Sequence, residues 1–209
     1  MRLARILLFL LVSSATLAQS DCTLRLEKDS IRVFTCDQEH SKFKSIKTVF
    51  QVVGDRSQVA AMILDIDFYK EWQYKTLSTK VLKRVSDREL IYYTEVAAPV
   101  LTSNRDFVIR LTVENVPDGS LSISAVSLPD YIPPKQGALR VPYSVARWKV
   151  QSVGPSTLRV EYTLDIDLGG DVPAWLVNAV APQAPYETFK AFREKIVKYT
   201  GQRVPFITD

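Results

Sequence analysis

The chain has 209 residues, 46% of them hydrophobic, with 27 basic against 23 acidic side chains and a formal charge of +4. Removing Arg2 and Arg5 with the N-terminal segment leaves +2, and no basic run is clustered, so charge gives no support for nucleic-acid binding. After that segment, no stretch is long and apolar enough to cross a membrane.

Residues 1–18 read as a secretory signal peptide. Arg2 and Arg5 form the basic start, Ile6 to Val12 the apolar run, and Thr16-Leu17-Ala18 offers small residues for cleavage after Ala18. The apolar run is too short to span a bilayer comfortably. Ser20-Asp21 precedes Cys22 without the small residues of a lipoprotein signal, so a lipidated terminus is not expected. Residues 19–209 are enough for a single domain with a substantial core. The expected product is soluble and exported. The periplasm of a bacterium is preferred, because the short signal comes without any Asn-x-Ser/Thr acceptor; secretion is the other destination.

The only cysteines, Cys22 and Cys36, have their midpoint at Asp29, within the turn-like Glu27-Lys28-Asp29-Ser30. A hairpin about that point sets the two sulfurs opposite each other, within disulfide reach, and an oxidising compartment would close the bond. Phe43 to Val53 continues as a strand. Asp55-Arg56-Ser57 offers a helix start, and Val59, Ala60, Met62, Ile63 and Ile66 carry helical spacing. Phe68 to Trp72 is a short irregular piece, with Trp72 assigned to packing between helices. Thr79 to Val85 and Glu89 to Ala97 form a hairpin turned by Ser86-Asp87-Arg88.

The next strand is the most informative. Phe107, Ile109, Leu111 and Val113 alternate with Val108, Arg110, Thr112 and Glu114, which describes one covered and one wetter face. Ser120 to Leu128 follows the turn Pro117-Asp118-Gly119, and Pro129 to Pro134 forms a loop. Ala138 to Val153 is expected as one strand, bent or bulged, because Leu139, Val141, Tyr143 and Val145 share a parity that Arg147 and Lys149 then take over. Val160, Tyr162, Leu164, Ile166 and Leu168 alternate with polar residues in the last strand. Gly169-Gly170-Asp171 ends it, Asp171 caps a helix opening through Pro173, and Pro182 and Pro185 kink or interrupt that helix. It resumes with Tyr186, Phe189, Phe192, Ile196 and Tyr199. The order describes an α+β domain with helices on one side of a curved antiparallel sheet.

Catalytic signals are thin. His40, the single histidine, sits in the polar connection Asp37-Gln38-Glu39-His40-Ser41 and reads as a solvated loop residue. There is no nucleophile elbow, phosphate loop, zinc-type histidine pair or paired-cysteine metal site, so no metal and no cofactor is expected. An enzyme using carboxylates and tyrosines alone stays open.

Four segments, in order, resemble the START domain, the steroidogenic-acute-regulatory-related lipid-transfer family. Glu27 to Phe34 resembles its opening hairpin, and Ile63-Leu64-Asp65-Ile66 with Glu71-Trp72 the following helix and tryptophan. Asn104-Arg105-Asp106-Phe107-Val108 matches its Arg-Asp-Phe strand, and Asp165 to Gly170 through Val172 to Asn178 its last strand and C-terminal helix. The resemblance spans Cys22 to Tyr199. It implies a helix-grip fold: a curved antiparallel sheet around a long C-terminal helix, with an internal hydrophobic cavity for one lipid or sterol. Such proteins bind and transfer, and most catalyse nothing, so the expectation is a non-catalytic monomer with a lipid or sterol-like ligand, transient contact with a membrane surface and no nucleic acid. Each buried methylene gains about 0.8 kcal/mol, so an acyl chain offers on the order of 10 kcal/mol before binding costs.

On this resemblance Phe107, Ile109, Leu111, Leu139, Val141, Tyr143, Tyr162 and Leu164 face the cavity, opposite Trp175, Leu176, Phe189 and Phe192. Any of them could instead pack a solid core. Val100, Leu101, Tyr131 and Ile132 lie in loops resembling the family's gate. Tyr93 and Glu95 complete the candidate ligand contacts. Glu95 resembles an acidic residue that sterol-binding members hold inside the cavity. The partner position six residues beyond the motif arginine is Leu111 here, and Arg110 faces the other way. An internal Glu95 without a cation would be driven to its neutral form and hydrogen-bond a ligand hydroxyl. Two other functions remain open: a cyclase- or hydrolase-like helix-grip enzyme, and a lipid-sensing module that never releases its ligand.

Overall fold

The computed structural model describes residues 22–37, 43–98, 103–171 and 181–207. The chain opens with β1 (Cys22–Lys28), β2 (Ile31–Cys36) and β3 (Ser45–Val53), then passes through α1 (Arg56–Leu64) and a 3₁₀ helix (Ile66–Glu71). A meander follows: β4 (Thr76–Arg84), β5 (Glu89–Val96), β6 (Asn104–Asn115) and β7 (Leu121–Ser127). The short β8 (Ala138–Arg140) precedes β9 (Tyr143–Gly154) and β10 (Thr157–Asp167); α2 (Gln183–Lys195) and a closing 3₁₀ turn (Ile196–Tyr199) complete the order. The strands form one curved sheet in the order β1-β2-β3-β10-β9-β7-β6-β5-β4, with β8 paired in parallel to β6. This is the expected α+β helix-grip arrangement.

Local chemistry explains the joints. Asp29 and Ser30 both take positive φ, +51° and +57°, the backbone of a two-residue hairpin turn whose twist suits the flanking strands. That turn sets Cys22 opposite Cys36, and the two form the expected disulfide. The same turn is tied to α2, because the Tyr186 hydroxyl donates to Asp29 Oδ2 at 2.6 Å. Helix α1 starts on a capping box: Asp55 accepts from the Gln58 amide at 2.8 Å and Gln58 Oε1 accepts from the Asp55 amide at 2.8 Å. Its apolar face, with Val59, Ala60 and Met62 at 0% exposure, closes one end of the core.

Alternation in β6 and β10 places Phe107, Ile109, Leu111 and Val113, and Val160, Tyr162, Leu164 and Ile166, on the concave face. The strand expected over 138–153 is broken. Val141 donates its N–H to Asp106 O at 2.9 Å, and Pro142, which has no N–H, ends the parallel pairing of β8. Strand β9 begins afresh at Tyr143, so its inward set is Ser144, Ala146, Trp148 and Val150. Pro185 does not kink α2. It sits in the first turn, just after the cap at Pro182, where a helix has no use for an N–H. Gly169 and Gly170 end β10 with successive φ of +65° and +69°, close against Pro142 and Leu139, a path that side chains would strain. The helix expected from Asp171 through Pro173 falls on 172–180, and the signal peptide and His40 also lie outside the described residues.

Candidate functional site

Sheet and helices do not meet everywhere. Between the concave face, the 3₁₀ helix and the first turns of α2 lies a cavity of about 240 Å³. Six of the residues singled out from sequence line it: Phe107, Ile109 and Leu111 of β6, Tyr162 and Leu164 of β10, and Phe189 of α2. Two alanines paired across β7 and β9, Ala125 and Ala146, leave the floor low where bulkier side chains would fill it. Aromatic rings support the wall. Phe189 stacks on Phe50 with centroids 4.7 Å apart and meets Tyr162 and Trp148 edge-on at 5.0 and 5.2 Å. Such pairs add about 0.5–1.5 kcal/mol each beyond their buried area, which stiffens the wall without closing the space.

Other candidates stand elsewhere. Phe192 is fully buried behind the lining, its ring 5.3 Å from Trp72 and 5.6 Å from Trp148. Leu139 is 36% exposed against Gly169 and Gly170, Val141 is buried beneath β6, and Tyr143 is half exposed on the outer face. Leu139 and Val141 belong to β8 and its exit along β6, and Tyr143 turns outward because β9 restarts after Pro142. Tyr93 and Glu95 are on the outer face of β5, because Tyr92, Thr94 and Val96 take the inner one. Trp175, Leu176, Val100 and Leu101 lie outside the described residues. Of the remaining loop candidates, Tyr131 is exposed and Ile132 half-buried.

Glu95 is therefore a clasp in the outer wall. Its carboxylate accepts from Lys135 Nζ at 2.6 Å and Asn104 Nδ2 at 3.0 Å, and Lys135 above all holds its pKa below the usual glutamate value. That lowered pKa favours the ionised form, so the neutral acid that an internal Glu95 would have been does not arise. Beside it Arg140 donates to both oxygens of fully buried Asp106, at 3.1 and 2.9 Å, and to the Ile132 carbonyl at 3.0 Å. Burial, then the Asp106 carboxylate, pushes the Tyr93 phenol up to about 12. Together these groups fasten the 129–140 loop to the back of the sheet.

Sequence reasoning missed several lining residues. Trp72 packs between helices, against Tyr69 and Phe192, as its sequence context suggests, and it also lines the cavity. Tyr92, Thr94, Trp148 and the first-turn Ala184 and Pro185 also line it. The parity of Trp148 and Val150 was the signal that could have located the β9 set. No charged side chain lines the cavity among the described residues, and desolvation raises the pKa of Tyr69, Tyr92 and Tyr162, keeping their phenols neutral. Among those residues no group of histidine, cysteine, aspartate and glutamate could hold a metal. A largely apolar pocket with no charged side chain among the described residues can bind greasy surface.

Comparison with known proteins agrees with this geometry. Residues 17–202 match the START domain family. The chain is 29% identical over 178 residues to an uncharacterized protein of Pseudomonas aeruginosa, covering 85% of this chain and 88% of that one. It is 28% identical over 173 residues to the phosphatidylcholine transfer protein of Mus musculus, covering 79% and 78%. Among solved structures, a STAR-related lipid transfer protein fragment from Xanthomonas axonopodis superposes with a TM-score of 0.79 at 26% identity, covering 84% of this chain and 98% of that one.

Proposed function

The chain belongs to the START domain family, and we propose that it binds a lipid or sterol-like hydrophobic molecule in its internal cavity, without catalysis, and passes it between membranes. The observation that carries this is the pocket itself: about 240 Å³, half open and lined mainly by aromatic and aliphatic side chains. Two of the similar proteins are named for lipid transfer, which supports the ligand class. The residues proposed to touch ligand are Phe107, Ile109, Leu111, Tyr162, Leu164 and Phe189, together with Trp72 and Trp148.

The protein acts outside the cytoplasm, in the periplasm by preference. The basic and apolar N-terminal segment supports export, and the Cys22–Cys36 disulfide suits an oxidising compartment. Its membrane contact is transient, made by a single copy of residues 19–209 after cleavage behind Ala18. Liposome-to-liposome transfer of a fluorescent lipid tests the function. Protein-dependent exchange that saturates with protein supports transfer, whereas tight binding without exchange points to a sensor that keeps its ligand.

A further inference from the structure

Three polar groups of the cavity wall have no hydrogen-bond partner among the described residues: the indole N–H of Trp72 and the hydroxyls of Thr76 and Thr94. Trp72 is 2% exposed and Thr94 5% exposed, so bulk water does not serve them. Folded proteins pair nearly all buried polar groups, and an exception calls for a cause. Two other hydroxyls of the wall are satisfied: that of Tyr69 donates to Ile63 O at 2.6 Å, and that of Thr188 accepts from the Tyr74 amide at 3.1 Å. The hydroxyl of Thr48 is also unpartnered but does not line the cavity.

The three share one edge. Trp72 ends the 3₁₀ helix, and the chain returns four residues later through Thr76, the first residue of β4. Thr76 pairs with Val96, whose neighbour two places back on the same inner face is Thr94. An indole N–H can only donate, so whatever meets it must present an acceptor; threonine hydroxyls can donate or accept. The rest of the wall holds no charged side chain among the described residues. An ion entering here would lose its water with no opposite charge in return. The volume of about 240 Å³ also lies just under the roughly 300–1,000 Å³ usual for small-molecule pockets, which favours a compact guest.

We infer that Trp72, Thr76 and Thr94 form the polar subsite of this cavity, and that the ligand is a neutral lipid burying one uncharged acceptor oxygen, a hydroxyl or an ester carbonyl. This rests on the lipid-binding reading above. It places headgroups that carry charge outside the cavity. A hydroxyl can accept from Trp72 and donate to a threonine, whereas an ester carbonyl can only accept, from at most two of the three donors at once, so the two oxygen types differ in which contacts they lose on substitution.

The test is equilibrium binding of four probes of one chain length, delivered from cyclodextrin at pH 8: dodecane, 1-dodecanol, methyl laurate and laurate. Expected is a preference of about 10-fold or more for alcohol or ester over the alkane, with the carboxylate weakest. Thr94→Val and Trp72→Phe should each bring the oxygen-to-alkane affinity ratio towards one. If Trp72→Phe does not fold, Thr94→Val, which keeps the side-chain shape, carries the test alone. Dodecane binding with no preference for either oxygen probe, laurate binding as tightly as the alcohol, or a ratio unmoved by substitution would overturn the subsite while leaving a lipid cavity in place. Failure of all four probes, dodecane included, would overturn the lipid-binding reading and the subsite with it.

Discussion

Replacing Ala146 by leucine separates a cavity from a packed core, because the two give opposite signs. Ala146 sits on the concave face between Ala125 of β7 and Leu164 of β10, and all three line the enclosed space. Leucine adds three carbons, and at about 0.8 kcal/mol per buried methylene the upper limit is about 2.4 kcal/mol of added stability. The position is only partly buried, which reduces this to about 1–2 kcal/mol. For a chain of this length that raises Tm by about 3–6 °C. In a packed core the same change would be overpacking and would cost about 1–3 kcal/mol. Differential scanning calorimetry of delipidated protein reads the first quantity, and titration with a neutral hydrocarbon probe reads the second. The added side chain occupies part of the cavity, so probe affinity should fall by about 10-fold, the loss of two methylene contacts. A lower Tm with undiminished probe binding would mean that Ala146 borders packed core and not open space.

Three further outcomes follow from the outer wall and the edge hairpin. Arg140→Met leaves the Asp106 carboxylate fully buried without its cation and should cost about 3–5 kcal/mol in urea unfolding. Adding Asp106→Leu should recover much of that loss, and a simple sum of the two single effects would contradict the pairing. Lys135 holds the Glu95 pKa below its ordinary value, so the clasp contributes fully above the usual glutamate range and is lost as pH falls through the lowered folded value. Protection factors of the amides in 129–137, corrected for the intrinsic exchange rate at each pH, should therefore fall on acidification in the wild type, whereas in Glu95→Gln they should already be low and flat with pH. Reducing the Cys22–Cys36 bond, which closes a loop with a sequence separation of 14, should lower stability by at most about 3 kcal/mol, measured as Tm with and without reductant. No shift at all would mean that the β1–β2 hairpin unfolds apart from the rest.

Legibility of the site tracked how sharply each strand separates its faces. In β6 the polar residues Arg110, Thr112 and Glu114 fall on one parity, so the inward direction of Phe107, Ile109 and Leu111 could be read directly. Strand β5 has no such contrast. Tyr92 and Tyr93 are adjacent and identical, and Thr94 and Glu95 are both polar, so only pairing with β6 decides which pair faces inward. The outer face of β5 is itself covered near Lys135, which buries Glu95 on the side expected to be wet. Across Pro142 the parity count fails because the ladder stops and restarts, a tertiary event that alternation cannot signal. Trp72 shows a further limit: it both packs against neighbouring rings and lines the cavity, and residue type alone does not separate the two.

A lipid held in this pocket should travel with the protein. Native mass spectrometry of the mature protein, purified from its own compartment and followed by organic extraction, would show it. The expected result is a one-to-one mass increment that extraction removes and identifies as a neutral lipid bearing a hydroxyl or ester oxygen. A protein that purifies empty and then takes up none of the lipids, sterols or hydrocarbons offered to it would rule out lipid binding.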